Sequence, residues 1–283
     1  MNTCILRLNC PDSRGIVFSV SKFLYELGAN IIDAQQYTEE LDNRFFMRVH
    51  FDRAEGRVAR EDLQAGLAAL AEQFHMETQL SFSEDKQRMA IMVSKYDHCL
   101  YDLFLRRQYG EIPAEIACVI SNHPDLEPVA RNFGVEFLHI PVPPGKKGQA
   151  EQRCIQELHA RKVDFVVLAR YMQVLSPLMV DAFRNRIINV HHGFLPAFKG
   201  AKPYHQAYEY GVKIIGATSH YVTDELDMGP IIAQETARVD HSHRVEDLVT
   251  LGRDAEKRVL AAAVHAHAEE RIMVYRHRTI VFA

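Results

Sequence analysis

Apolar and polar positions along the chain fall into two blocks of different rhythm. In the first, Cys4 to Leu8 reads as a strand, and Ile16, Val17, Val20, Phe23, Leu24 and Leu27 recur at helical spacing until Gly28 stops the run. Ile31 to Thr38 and Phe45 to Phe51 read as strands on either side of a hairpin tip at Leu41-Asp42-Asn43. Leu63, Leu67, Leu70 and Phe74 mark a second helical stripe, and Met76 to Phe82 closes the block as a strand. The order strand, helix, strand, strand, helix, strand predicts a ferredoxin-like βαββαβ unit.

Ser83 to Gln87 is short, polar and charged, the composition of a linker. Beyond it the apolar segments Arg88 to Val93, Ala114 to Ile120, Val135 to Ile140, Phe165 to Ala169 and Ile187 to Val190 alternate with helical segments. Those helices lie around Leu100 to Gln108, Leu126 to Phe133, Ala150 to Arg161 and Leu178 to Arg184. Such βα alternation predicts an α/β, Rossmann-like, mostly parallel sheet covered by helices on both faces, with a ligand site at the carboxyl ends of its strands. A helix from Tyr204 to Tyr210, a strand from Ile214 to Val222, a long helix from Val245 to Glu270 and a terminal run from Met273 to Phe282 complete the block. The expected boundaries are residues 1–83 for the first domain, 84–87 for the linker and 88–283 for the second domain.

A chain of 283 residues with 25% charged and 47% apolar positions has an ordinary globular composition, and its net charge of −4 argues against general nucleic-acid or membrane-surface binding. The five cysteines show no C-x-x-C spacing, and the N-terminus carries no basic region followed by an apolar core, so the expected compartment is the cytoplasm. No apolar run approaches a membrane span. Fifteen histidines raise the prospect of a metal-dependent hydrolase, but there is no H-E-x-x-H pattern. The one-residue spacing of His241/His243 and of His265/His267 would point each pair apart on a helix, so no catalytic metal is expected.

The candidate chemistry is concentrated between Ile187 and Ile232. On the strand ending in Asn189-Val190-His191-His192, a period of two places Asn189 and His191 on one side. The segment Gly193 to Pro203 is too rich in Gly and Pro for a helix or inner strand, and is long enough to act as a flap. After the strand Ile214 to Val222, the acid-rich turn Thr223 to Pro230 carries Asp227 to the sheet edge. Amide, imidazole and carboxylate together can add a nucleophile to a carbonyl and expel an amine: Asn189 donates to the oxyanion, His191 moves protons, and Asp227 orients water or the imidazolium. His192, His205 and Lys202 lie nearby and read as solvated loop residues.

Asn-x-His, then Phe-Leu-Pro-Ala-Phe-x-Gly-x-x-Pro-Tyr-His-Gln-Ala, then Gly-Ala-Thr-x-His-Tyr-Val-Thr-x-x-Leu-Asp-x-Gly-Pro-Ile-Ile resembles the family of enzymes that use 10-formyltetrahydrofolate. The resemblance implies that Asn189, His191 and Asp227 are catalytic and that His220 is the upstream partner of Asp227. It also implies that Met172, Val174 and Leu175 wrap the pterin, that Thr223, Asp224 and Glu225 line its far side, and that Gly200 belongs to the substrate-binding flap. Gly193 departs from the family, which commonly has Ser there. Folate is then the substrate, and no separate cofactor is implied.

The turn Ser94-Lys95-Tyr96-Asp97-His98 contains no glycine, whereas an enzyme with a phosphorylated acceptor would need backbone N–H groups close to the phosphate. No segment follows the second block that would match the nucleic-acid-binding domain of the family's transfer-RNA branch. The expected reaction is therefore hydrolysis to formate and tetrahydrofolate. The alternatives are formyl transfer to an amine such as glycinamide ribonucleotide, and a non-enzymatic folate and amino-acid sensor.

The first strand, the turn Asp12-x-x-Gly15-Ile16 and the element order of the first block resemble an ACT domain. That resemblance implies that Asp12, Arg14 and Gly15 contact an amino-acid effector such as glycine, serine or methionine, or else that they only cap the first helix and help subunits pack. It also implies a homo-oligomer, a dimer or tetramer.

Overall fold

The computed structural model describes residues 2–53, 58–197 and 203–283. Its internal contacts divide the chain into two units, Met1–Lys86 with Phe282–Ala283, and Gln87–Val281. The last two residues thus group with the first unit, where the backbone N–H and C=O of Ala283 bond the side-chain amide of Gln35 at 2.8 and 2.9 Å.

The first unit contains β1 (Thr3–Pro11), α1 (Ile16–Glu26), β2 (Asn30–Glu39), β3 (Arg44–Asp52), α2 (Arg60–Phe74) and β4 (Glu77–Phe82). Its antiparallel sheet has the order β2-β3-β1-β4, which the βαββαβ pattern produces when the two central strands come from β1 and β3. Along β1 every second residue is buried, and Cys4, Leu6, Leu8 and Cys10 pack with Ile16, Val20 and Leu24 of α1 and Leu63 and Leu67 of α2. Each such fully buried side chain contributes on the order of 1.5–3 kcal/mol of transfer free energy. Helix α1 ends where the sequence pattern stops it, with Gly28 left-handed at φ 75. Asp12, Arg14 and Gly15 sit together in the β1–α1 turn. Gly15 is the N-cap of α1 at φ 93, and Asp12 N–H donates to the Asn43 carbonyl of the β2–β3 tip at 2.8 Å.

The second unit contains β5 (Gln87–Val93), α3 (His98–Gln108), β6 (Ala114–Ser121), α4 (Glu127–Asn132), β7 (Phe137–His139), α5 (Lys147–Ala160), β8 (Phe165–Leu168), α6 (Pro177–Ala182) and β9 (Ile187–His191). It continues with α7 (Pro203–Glu209), β10 (Ile214–Tyr221), β11 (Ile231–Arg238), α8 (Val245–Ala268), β12 (Ile272–Tyr275) and β13 (Arg278–Val281). Seven strands form one sheet in the order β11-β10-β9-β8-β5-β6-β7. The five from β5 to β9 run parallel and are buried on both faces, by a core under α3 and α8 and another under α5 and α6. The chain fills one half of the sheet through β7 and then crosses back to β8, so the topological switch lies between β5 and β8. The crevice beyond their carboxyl ends is where ligands bind in open α/β sheets.

Two strands depart from the parallel pattern. β10 is antiparallel to β9, and β11 is antiparallel to β10. β11 was not anticipated beyond Ile231-Ile232, because only alternate residues of this edge strand are covered and its composition, Ala-Gln-Glu-Thr-Ala-Arg, is polar. The terminal run is a two-stranded hairpin of β12 and β13. His241 and His243 precede α8 rather than lying on a helix. Among the described residues no helix is long and apolar enough to cross a membrane.

Helices α1 and α2 meet where Gly66 faces the ring of Phe23, and a Cβ at that position would stand 2.1 Å from a ring carbon. Gly66→Ala is expected to lower stability by about 1–3 kcal/mol, the usual cost of overpacking, read as a drop in the urea midpoint with an unchanged slope.

Candidate active site

Asn189 and His191 leave the end of β9 on the same side, and His220 faces them from β10, where the register pairs His220 with Asn189. The antiparallel turn of the sheet creates this juxtaposition. A β-bulge at Ser219/His220 shifts the pairing with β11, and the following loop returns Asp227 beneath the two histidines. Asp227 adopts the left-handed conformation at φ 57, costly for a non-glycine residue and held by the loop around it. Tyr221 N–H donates to the Pro230 carbonyl at 2.9 Å, Val222 N–H to Ile187 at 2.9 Å, and Met228 N–H to Glu225 at 3.3 Å. Gly229 is required by this packing, since a Cβ there would fall 1.7 Å from the Tyr221 carbonyl oxygen.

His191 Nδ1 lies 3.2 Å from Asp227 Oδ2, and His220 Nε2 lies 3.8 Å from the other carboxylate oxygen. His220 Nδ1 is 2.9 Å from the Tyr221 carbonyl, which can only accept, so Nδ1 carries the proton and Nε2 accepts from Asn189 Nδ2 at 3.2 Å. His191 Nε2 is buried and has no hydrogen-bond partner among the described residues. Burial works to raise the Asp227 carboxyl, but the hydrogen bond and charge of His191, with His220 and His192, outweigh it and hold the group below its ordinary value. Burial pushes the His220 imidazole down, against the pull of the Tyr221 carbonyl and Asp227. The result is an ionised carboxylate under one imidazole, a neutral second imidazole, and an amide oriented by it.

These residues open onto a cavity of about 580 Å³, within the usual size of small-molecule sites. Met172, Val174 and Leu175, in the loop after β8, form part of its lining, and Thr223, Asp224 and Glu225 form another part. Met172 and Val174 are 52% and 56% exposed, which separates them from core residues, whereas Leu175 also packs against the apolar cluster under α5 and α6. Gly200 and Lys202 lie outside the described residues. The start of the flap is pinned, because the Thr218 hydroxyl donates to the Gly193 carbonyl and accepts from Leu195 N–H, both at 3.0 Å. His205 is exposed, but His192 is not a solvated loop residue. Its ring lies 5.4 Å from that of His191, and burial, with the charge of Arg170, pushes it down to about 4.

A second polar network in the cavity wall escaped sequence reasoning. Glu256, 1% exposed, receives the Tyr204 hydroxyl at 3.0 Å, meets His98 Nε2 at 2.8 Å and faces Arg170 Nε at 3.6 Å. Arg170 in turn lies under the Tyr96 ring, 4.7 Å from its centroid. Burial favours the neutral form of Glu256, yet the hydrogen bond from His98, the Arg170 charge and the Tyr204 hydroxyl keep its carboxyl below the ordinary value. Gly252, one turn earlier on α8, lets the Tyr204 ring reach Glu256, since a Cβ there would stand 2.1 Å from the ring. The available signal was a carboxylate on the apolar stripe of a helix, between Ala255 and Val259. His98, Cys99 and Glu256 also bring donor atoms within 4.8 Å of one another, as a metal site would. Arg170 beside the carboxylate, and a Cys99 thiol that burial pushes well up, make the group a hydrogen-bonded ion cluster.

The sequence profile described as formyl transferase matches residues 87–264, and that of the ACT domain matches residues 5–65. The chain belongs to the formyl transferase family. Within it, the chain is 48% identical to a formyltetrahydrofolate deformylase from Bacillus subtilis, over 98% of this chain and 93% of the relative. The crystal structure of a formyltetrahydrofolate deformylase from Pseudomonas syringae pv. tomato superposes with a TM-score of 0.96 at 42% identity, covering 100% of this chain and 95% of that one. Glycinamide ribonucleotide transformylase 1 from Symbiobacterium toebii shares the fold of the second unit, with a TM-score of 0.68 at 35% identity over 72% of this chain and 98% of that one.

The depressed carboxyl of Asp227 sets a pH dependence. Because its folded value lies below that of an unfolded aspartate, about 3.9, the stabilisation it gives is complete above that pH and is lost as the pH falls through the folded value. Asp227→Asn should therefore melt below the native protein at neutral pH, and the gap should close in acid below about pH 4, as thermal unfolding across that range would show.

Proposed function

We propose that this protein hydrolyses 10-formyltetrahydrofolate to formate and tetrahydrofolate, as its deformylase relatives are named for doing. The observation that carries the reading is the His191–Asp227 pair with Nε2 of His191 left without a partner among the described residues, beside Asn189, in one cavity. The folate ring lies between Met172–Leu175 and Thr223–Glu225, which brings the formyl group to the strand ends. Asp227 and His191 position a water for attack on the formyl carbon. Asn189, its amide fixed by His220, and His191 donate to the oxyanion, and the arylamine nitrogen leaves once protonated.

Water is assigned as the acceptor because the loop after β5, Ser94 to His98, contains no glycine that would let backbone N–H groups approach a phosphate closely. Ser94 is committed to Asn122 at 2.7 Å and to Met172 N–H at 2.9 Å, and the side chains of Tyr96 and His98 line the cavity. The folate is substrate, with no resident cofactor. Five buried, unpaired thiols accord with a reducing cytoplasm. The ACT unit is assigned a regulatory role, with an amino acid such as glycine, serine or methionine held at the turn of Asp12, Arg14 and Gly15, and with assembly into a homo-oligomer.

Purified protein given 10-formyltetrahydrofolate and no acceptor should release formate. Asp227→Ala or His191→Ala should lower turnover by about a hundredfold or more while leaving the fold intact. No formate from the native protein, with the formyl group passed to the amine once glycinamide ribonucleotide is added, or normal turnover in a folded Asp227→Ala protein, would refute the assignment. Titration calorimetry with glycine, serine and methionine should detect binding of at least one, which Arg14→Ala weakens; three flat titrations would remove the sensor role.

A further inference from the structure

We infer that Arg170, held by Glu256 and covered by Tyr96, is the specificity-determining residue that closes the attacking side of this site to amines and reserves it for water. The inference rests on the hydrolase reading above and extends it to residues outside the Asn189–His191–Asp227 array.

The cavity lies at the switch between β5 and β8, and the loop after β8 contributes both Arg170 and Met172 to its lining. Met172 belongs to the stretch assigned to the pterin. Arg170, at φ 64, meets the network formed by α3, α7 and α8. The catalytic residues on β9 lie in the same cavity. A formyl group delivered from the Met172 wall must be attacked from the other side, where a nucleophile has to come within about 3–3.5 Å of the carbon. Water needs only that gap, whereas an amine brings substituents that need the space behind it.

The wall there is formed by nearly buried side chains. The side chains of Arg170, Glu256 and His98 are 10%, 2% and 13% exposed. Nε and Nη1 of Arg170 are buried without a hydrogen-bond partner among the described residues, the guanidinium being covered by the Tyr96 ring. Burying an arginine and a glutamate this deeply costs several kcal/mol per ion before pairing, and apolar side chains of equal volume would fill the wall more cheaply. A buried ion pair at this place fits a steric and electrostatic task. The guanidinium with the Tyr96 ring over it fills this part of the wall, its charge disfavours an incoming ammonium, and Glu256 pairs with it at 3.6 Å.

The test is the split between two products in one reaction. 10-Formyltetrahydrofolate is supplied with glycinamide as the probe amine, and formate and N-formylglycinamide are counted. In the diverted reaction the glycinamide nitrogen bonds the formyl carbon and the bond from that carbon to N10 breaks. The proton lost by the amine reaches N10, so tetrahydrofolate leaves with no change of oxidation state.

Arg170→Gly suits the positive φ, and Arg170→Gly/Glu256→Gln avoids leaving the carboxylate unpaired. Either should raise the ratio of N-formylglycinamide to formate by about tenfold or more over the native protein, since opening a pocket changes discrimination on that scale. Tyr96→Ala, at a half-exposed position, reads the same ratio if neither of those folds. An unchanged ratio in a folded variant that still releases formate overturns the inference alone, and so does a folded variant that forms neither product. A native protein that releases no formate overturns the hydrolase reading, and the inference with it.

Discussion

The reversal of β10 against an otherwise parallel sheet is the constraint on which the site depends. Had β10 entered parallel to β9, His220 would not lie opposite Asn189 while the chain leaves the strand toward Asp227. The antiparallel register places all four polar groups at one end of two neighbouring strands, and the bulge at Ser219/His220 turns the chain into the loop that carries the carboxylate. The loop holds Asp227 at a positive φ and packs Gly229 against the Tyr221 carbonyl. Local strain is balanced there by backbone hydrogen bonds at both ends of the loop.

Electrostatics follow from that geometry. One carboxylate serves two imidazoles, but the imidazoles are held differently. His220 spends Nδ1 on a backbone carbonyl and Nε2 on the Asn189 amide, so it orients. Among the described residues, His191 spends only Nδ1, on Asp227, and keeps Nε2. The same division of labour recurs around Glu256, where Tyr204, His98 and Arg170 surround one buried carboxylate. The two carboxylates thus sit in distinct surroundings. Asp227 lies under His191, and Glu256 pairs with Arg170 at 3.6 Å.

The first unit shows how far periodicity alone can carry a fold. Its strands alternate because one face is covered by α1 and α2, and its two helices show their stripes because they cover that face. In the second unit the parallel strands are apolar on both faces and equally legible. The edge strand β11 was not, since half-covered polar residues carry little period.

What the sequence determined by itself was the pair of fold patterns, the strand end carrying Asn189 and His191, and, through a motif spanning more than forty residues, the place of Asp227 and His220 beside them. These are properties of neighbouring residues or of fixed spacings. Which nitrogen of His191 stays unpartnered among the described residues, the antiparallel turn of β10 and the exposure of Met172 and Val174 were decided only by tertiary structure. So was the meeting of Arg170, Glu256, His98 and Tyr204. Those four come from a loop after β8, from α8, from α3 and from α7, separated by as many as 158 positions between His98 and Glu256. No local pattern joins them, and a single buried carboxylate on a helix reads as an exception until the sheet brings its partners to it.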